Sequence, residues 1–183
     1  MERQIQQQFQ TNFQIINEKF SHYFRQLFAG GQAELILQFS DPLDDESEGS
    51  SDDKKVKETV AGIEILATPP GKRLKNISVL SGGEKAMTAI ALICAILASN
   101  PSPFVFLDEV DAALDEANAG RFAAILQELS AQTQFIVITH NHVTMHTASI
   151  LYGVTMNEGG ISSLVGLDVA HAERLLDKKT ETT

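Results

Sequence analysis

Three short runs of residues carry the chemistry that this sequence could perform. The first is Leu80-Ser81-Gly82-Gly83-Glu84-Lys85. Two glycines opening a long helix are poor helix formers, each costing roughly 1 kcal/mol relative to alanine. Ser81 and Glu84 stand in the S-x-x-E spacing of a capping box, which accounts for those two residues and leaves the glycines unexplained. Glycines in a first turn bare the backbone N–H groups at the positive end of the helix, where a phosphate can approach. The second run, Phe104-Val105-Phe106-Leu107-Asp108-Glu109, is four apolar residues followed by two carboxylates. Acids at the C-terminal end of a buried strand sit where open parallel α/β sheets bind their ligands. One such carboxylate suits Mg²⁺, which takes oxygen ligands and keeps several waters. Its neighbour suits a base that orients or deprotonates an attacking water. Solvated acids at a strand end, or a helix cap, would explain the same residues without chemistry. The third run is Thr139-His140, which closes the next apolar stretch. A lone histidine at a strand end is more often structural than catalytic. This one closes the strand that follows the acidic pair in sequence, so it could reach the same crevice.

To position these residues, the chain must alternate helices with short apolar strands. Ile5, Phe9, Phe13, Ile16, Phe20, Tyr23 or Phe24, and Leu27 recur every three or four residues. Their spacing predicts a helix of about seven turns ending before Gly30-Gly31. Alternating runs at 33–39 and 60–67 predict an antiparallel strand pair with one wet face. Between them, residues 41–53 hold seven acids and no base, the composition of a solvated loop. After Pro69-Pro70-Gly71 comes Lys72-Arg73-Leu74-Lys75, either a solvated turn or a contact for a nucleic-acid backbone. Further on, a nearly all-apolar helix is predicted at 82–98, a short buried strand at 104–107 and an amphipathic helix at 115–129. A second buried strand follows at 135–139, with two terminal strands at 150–156 and 161–169. Such alternation indicates an α/β domain with a largely parallel sheet, flanking helices and antiparallel strand pairs. Residues 177–183 are polar and read as a tail.

A chain of 183 residues with 43% apolar content suits one hydrophobic core. No wholly apolar run reaches the roughly 20 residues that span a bilayer, and MERQIQQQFQ does not resemble a secretory signal. A single cysteine, Cys94, excludes a disulfide framework and fits a reducing compartment. The formal charge of −10 argues against nucleic-acid binding, but without residues 41–53 the remainder has 17 acids against 14 bases. The global sign therefore decides little.

In this order, the three runs resemble the ABC-type ATPases. LSGGEK matches their signature motif, FVFLDE their Walker B strand with its catalytic glutamate, Ala112-Ala113-Leu114-Asp115 the D-loop, and Thr139-His140 the switch histidine. The longer wording from Pro69 to Asn118, with QFIVITHN and LYGVTM downstream, resembles bacterial SMC (structural maintenance of chromosomes) proteins. That resemblance extends from the first helix to about residue 168 and implies the C-terminal lobe of a P-loop NTPase head. Residues 1–29 would be the end of a coiled-coil arm, 30–176 the half-head and 177–183 the tail.

The resemblance also implies roles and partners. Ser81, Gly82 and Gly83 would touch the γ-phosphate of ATP held by an opposite head. Asp108 would hold Mg²⁺ through water, Glu109 would activate the attacking water, and His140 would sense the γ-phosphate. Asp115 would couple the two sites. Implied partners are the N-terminal half of the same head, a second head in a homodimer, the winged-helix domain of a kleisin subunit and, through the full complex, DNA; no membrane is implied. The expected location is cytoplasmic and nucleoid-associated, and the expected role is chromosome condensation and segregation. A P-loop needs G-x-x-x-x-G-K-[ST]. Here the one Gly-Lys pair, Gly71-Lys72, is followed by Arg73 and has Leu66 five residues before its glycine. The chain therefore reads as a fragment that hydrolyses no ATP alone, its P-loop supplied by an upstream segment. Two alternatives stand beside this reading: a kleisin-binding module without ATPase activity, and a DNA-repair ATPase of the same superfamily. His140, His142 and His146 could suggest a metal site, but the switch role already accounts for His140. Basic residues usually follow that histidine in the family, whereas Asn141-His142-Val143 stands here.

Overall fold

The computed structural model describes residues 2–39, 60–72, 75–156 and 159–169. The acidic stretch 41–53, Arg73-Leu74 and the polar tail lie outside the described residues. The chain divides into two compact units, Met1–Ser102 and Pro103–Thr183.

The first unit begins with helix α1 (Glu2–Phe28) and the antiparallel strands β1 (Gln32–Phe39) and β2 (Val60–Thr68). A two-residue strand, β3 (Lys75–Asn76), extends the sheet to the order β1-β2-β3. A 3₁₀ turn (Ile77–Val79) then leads into helix α2 (Gly82–Ser99). The apolar stripe of α1 is continuous in sequence but only its end is buried. Phe20, Tyr23, Phe24 and Leu27 are core residues, whereas Ile5 and Phe9 are exposed. The aromatic rings Phe20, Phe24 and Phe28 succeed one another along that face, Phe24 and Phe28 stacking at 4.1 Å. Across from them α2 buries Met87, Ile90, Ala91, Cys94 and Ala95. Among the described residues, α2 alone is long and apolar enough to cross a membrane. Its buried face against α1 makes it the central helix of this unit.

The helix stop predicted at Gly30-Gly31 occurs there, by a different device. Ala29, not a glycine, takes the left-handed conformation (φ 53°), and Gly30 N–H donates back to Arg25 C=O at 2.9 Å, the long bond of a Schellman cap. Glycine is required two residues later. At Gly31 (φ 82°) a Cβ would lie 2.4 Å from the Thr68 carbonyl oxygen. Asn17 Oδ1 accepts from Leu35 N–H at 2.7 Å, tying the edge strand β1 to α1. Ala33 and Leu35 alternate inward as the period of two requires.

The second unit contains strand β4 (Phe104–Asp108), helix α3 (Glu116–Leu129), strand β5 (Gln134–Ile138) and the one-turn helix α4 (His142–Met145). It ends in the hairpin of β6 (Ile150–Met156) and β7 (Ser162–Asp168). β4 and β5 are parallel and in register from Phe104↔Gln134 to Asp108↔Ile138, a βαβ unit whose helix buries Ala119, Phe122, Ala123, Ile125 and Leu126. The expected largely parallel sheet amounts, among the described residues, to this one pair; the other pairings are antiparallel. Leu107 is buried on one face of the pair, while Phe104, Phe106, Ile136 and Ile138 are exposed on the other.

Candidate active site

In the first unit, the end of α2 is built as a capping box. Ser81 is the N-cap, and its N–H and hydroxyl both donate to Glu84 Oε2 at 2.9 Å. Glu84 N–H donates back to Ser81 Oγ at 3.4 Å. The other carboxylate oxygen of Glu84 accepts from Lys72 Nζ at 2.6 Å. Lys72 is delivered there by the Pro69-Pro70-Gly71 turn, closed by Lys72 N–H to Pro69 C=O at 3.1 Å with Gly71 at φ 77°, a conformation glycine adopts freely. The Lys72 ammonium, then the Ser81 N–H, hold the Glu84 carboxyl down at about 2 against the ordinary 4.5. Lys72, the first base of the stretch read as a solvated turn or a nucleic-acid contact, is thus paired within the chain while its side chain stays 48% exposed.

Gly82 and Gly83 occupy the first two helical positions. A Cβ built on either meets nothing within 4 Å, and neither has a positive φ. No packing or backbone demand within the described residues requires a glycine there. Two poor helix formers at the positive end of an 18-residue helix face open space, the arrangement that lets an anion reach bare backbone N–H groups.

In the second unit, Glu109 and His140 approach one another. Asp108 is the last residue of β4, exposed and opposite Ile138 in register. Glu109 follows in the left-handed conformation (φ 47°), its N–H donating to Ile138 C=O at 2.9 Å. A non-glycine residue held there is strained, and such strain clusters at functional sites. The turn brings Glu109 Oε1 to 3.9 Å from His140 Nδ1, with both side chains largely exposed. That separation exceeds hydrogen-bond length, so each group keeps its polar atoms for other partners. Asp115 caps α3, its carboxylate accepting from Asn118 N–H at 2.8 Å. Of the residues singled out in the sequence, Glu109 and His140 are therefore brought together. Ser81 and Asp115 each have a local capping duty besides any ligand contact.

One residue with a large structural part carried no local signal of it. Asp111, two residues after Glu109 in the turn that follows β4, is 1% exposed. Its carboxylate accepts from Thr139 Oγ1 (2.7 and 2.9 Å) and Thr144 Oγ1 (2.5 Å). A negative charge between two apolar residues, with hydroxyl partners 28 and 33 residues away, has no local pattern to betray it.

Among the described residues, no three His, Cys, Asp or Glu side chains are grouped to hold a metal ion; His142 and His146 belong to α4 and its cap. An exposed strand-end carboxylate such as Asp108 fits Mg²⁺, which is bound through one or two carboxylates, waters and substrate phosphates rather than by a protein cage.

The chain matches the family model of the RecF/RecN/SMC N terminal domain over residues 2–163. A chromosome partition protein Smc from Thauera aminoaromatica is 45% identical over 177 residues, which are 97% of this chain and 13% of that protein. The chain thus spans about an eighth of the length of that relative. Among solved structures, a chain from work on ATP-driven dimerization and DNA-stimulated activation of SMC ATPases is 38% identical with a TM-score of 0.72; the match covers 94% of this chain and 95% of that one. An Smc head domain with an extended coiled coil, derived from Pyrococcus furiosus and bound to the C-terminal domain of ScpA, is 40% identical with a TM-score of 0.76; 92% of this chain and 38% of that one are covered. The structural neighbours are mixed α/β heads of SMC ATPases, and this chain belongs to the RecF/RecN/SMC N terminal domain family.

Proposed function

We propose that the chain is the C-terminal half of the ATP-hydrolysing head of a chromosome-organising SMC protein. The observation that carries this reading is the pairing of Glu109 with His140 at the C-terminal ends of two adjacent parallel strands. A glutamate and a histidine 3.9 Å apart at a strand-end crevice can address one water and one phosphate together. In this reading Glu109 orients and deprotonates the attacking water, and His140 donates to a γ-phosphate oxygen. Asp108 holds Mg²⁺ through water, the ion supplying charge neutralisation at the phosphate oxygens when bound. Ser81 and the N–H groups of Gly82 and Gly83 serve the γ-phosphate of ATP on an opposite head, and Asp115 couples the two sites. The open apolar face of β4 and β5, with Phe106 64% exposed, supports a complementary segment of the same head, which would also bring the P-loop. Replacing Glu109 by Gln in the complete protein tests the assignment: ATP binding persists and turnover stops. Undiminished turnover would remove Glu109 from this role.

A second reading, a kleisin-binding module, is favoured by the β6–β7 hairpin. Tyr152, Val154, Met156 and Leu164 line one face of it, all well exposed, and apolar residues grouped on one exposed face mark interaction sites more than singly scattered ones do. An Smc head was solved with the C-terminal domain of ScpA bound. Capture of a kleisin winged-helix domain by this chain without ATP, lost on Val154→Asp, is the expected result; equal capture by the variant would exclude the hairpin. The two readings are compatible in one intact protein.

A further inference from the structure

Asp111 is the one charged side chain that is buried among the described residues. Burying a carboxylate is costly unless hydrogen bonds replace its water, and here they come from two threonines of the segment that follows β5. Thr139 is used twice. Its hydroxyl donates to Asp111, and the same oxygen accepts from Asn141 N–H at 2.9 Å. Thr139 and Asn141 flank His140, so this bond wraps the backbone tightly around the histidine. Thr144, in α4, donates to the same carboxylate oxygen, Oδ2, that takes the shorter of the Thr139 bonds. The opposite arm of the bracket is Glu109 itself, whose N–H is tied to Ile138 C=O. Two fastenings therefore join the turn after β4 to the segment after β5: Glu109 N–H to Ile138 C=O, and Asp111 to Thr139 and Thr144.

We propose that Asp111 is a positioning residue, whose buried carboxylate fixes His140 at its distance from Glu109 through Thr139 and Thr144. The inference rests on the roles proposed above for Glu109 and His140. An apolar residue of similar shape could fill the same volume without burying a charge. The carboxylate contributes a fixed direction and reach for two hydroxyls. Loosening it lets His140 drift by a fraction of an ångström to an ångström, a displacement that costs turnover without removing any group that binds nucleotide.

The test uses two readouts. In the complete protein, Asp111→Asn and Thr144→Val lower kcat for ATP by about tenfold or more, with KM changed by less than about twofold. Thr144→Ser, which keeps the hydroxyl, stays within about twofold of the parent. In this chain, nitrogen-15 NMR of the His140 imidazole shows shifted and broadened signals in Asp111→Asn and Thr144→Val, and parent-like signals in Thr144→Ser. A merely structural role predicts another order: Ser and Val variants lose activity in step with their melting temperatures, and the imidazole signals of folded protein do not move. Either result overturns the proposal. If Asp111→Asn does not fold, the Val and Ser pair at Thr144 decides. If the complete protein hydrolyses no ATP even in its parent form, the hydrolase reading fails and the imidazole readout alone judges Asp111.

Discussion

Replacing Gly82 and Gly83 by alanine separates a ligand-imposed residue from a structural one. Neither position has a neighbour within 4 Å of an added Cβ or a φ that alanine resists. Alanine there should therefore fit without strain and restrict the unfolded chain, stabilising by about 0.4–1 kcal/mol per site. For a chain of this size each kcal/mol moves the melting temperature by roughly 2–4 °C, so the double variant should melt about 2–8 °C higher. The same two methyl groups stand where a phosphate would meet the backbone amides. ATP turnover by the complete protein should fall by about 100-fold or more, as expected when donors aimed at developing charge are obstructed. Circular dichroism melts of the chain and a phosphate-release assay of the complete protein measure the two effects. A stability gain with lost activity is the expected result. A lower melting point would mean that the glycines serve the fold, and retained turnover would mean that no ligand approaches them.

Four other outcomes follow from particular contacts. Glu109→Gln should leave ATP affinity within about twofold and lower kcat by about 100-fold or more, read by nucleotide titration and single-turnover hydrolysis. The Glu84 carboxyl, depressed to about 2, contributes stability that is full above about pH 4.5 and is lost as the pH falls toward about 2. Lys72→Met should raise the midpoint of its carbon-13 titration, and an unmoved midpoint would contradict the role of the ammonium. Asp115→Ala should cost about 1 kcal/mol of stability through the lost α3 cap, while Asp115→Asn keeps the cap; a loss of turnover in the Asn variant at parental stability would isolate the coupling role. Phe106→Asp should leave the far-ultraviolet spectrum of the chain intact and abolish its association with the complementary head segment, measured by size-exclusion chromatography; association undisturbed would show that this face is not the docking face.

The parts of the fold that were legible in sequence are those whose periodicity runs long enough to exceed chance. The apolar run of α2 and the stripe of α1 appear where their spacing predicts, whereas β4 forms at its apolar run with Phe104 and Phe106 exposed rather than buried as expected. Elements of two to four residues, such as β3, the 3₁₀ turn and α4, have too few positions to establish a period. They arise from pairing with β2 and from the Asn76 and Asn141 side chains, which accept from Ser78 and Val143 N–H. Glycine illustrates the difference between type and environment. Gly31 and Gly82 look equally exceptional in sequence, yet one is required by a carbonyl 2.4 Å from its missing Cβ and the other by nothing within the described residues. At the candidate site, strand-end position was legible for Asp108, Glu109 and His140. The positive φ of Glu109 and the burial of Asp111 depend on contacts made across two strands, and no local pattern encodes them.

The central claim is that this chain supplies the water-activating half of a divided ATPase site. It is tested most directly by measuring phosphate release from this chain alone, mixed with the segment carrying the P-loop, and mixed after Glu109→Gln. Hydrolysis by the parent mixture only is the predicted result. Hydrolysis by the chain alone, or undiminished hydrolysis by the Gln mixture, would contradict it.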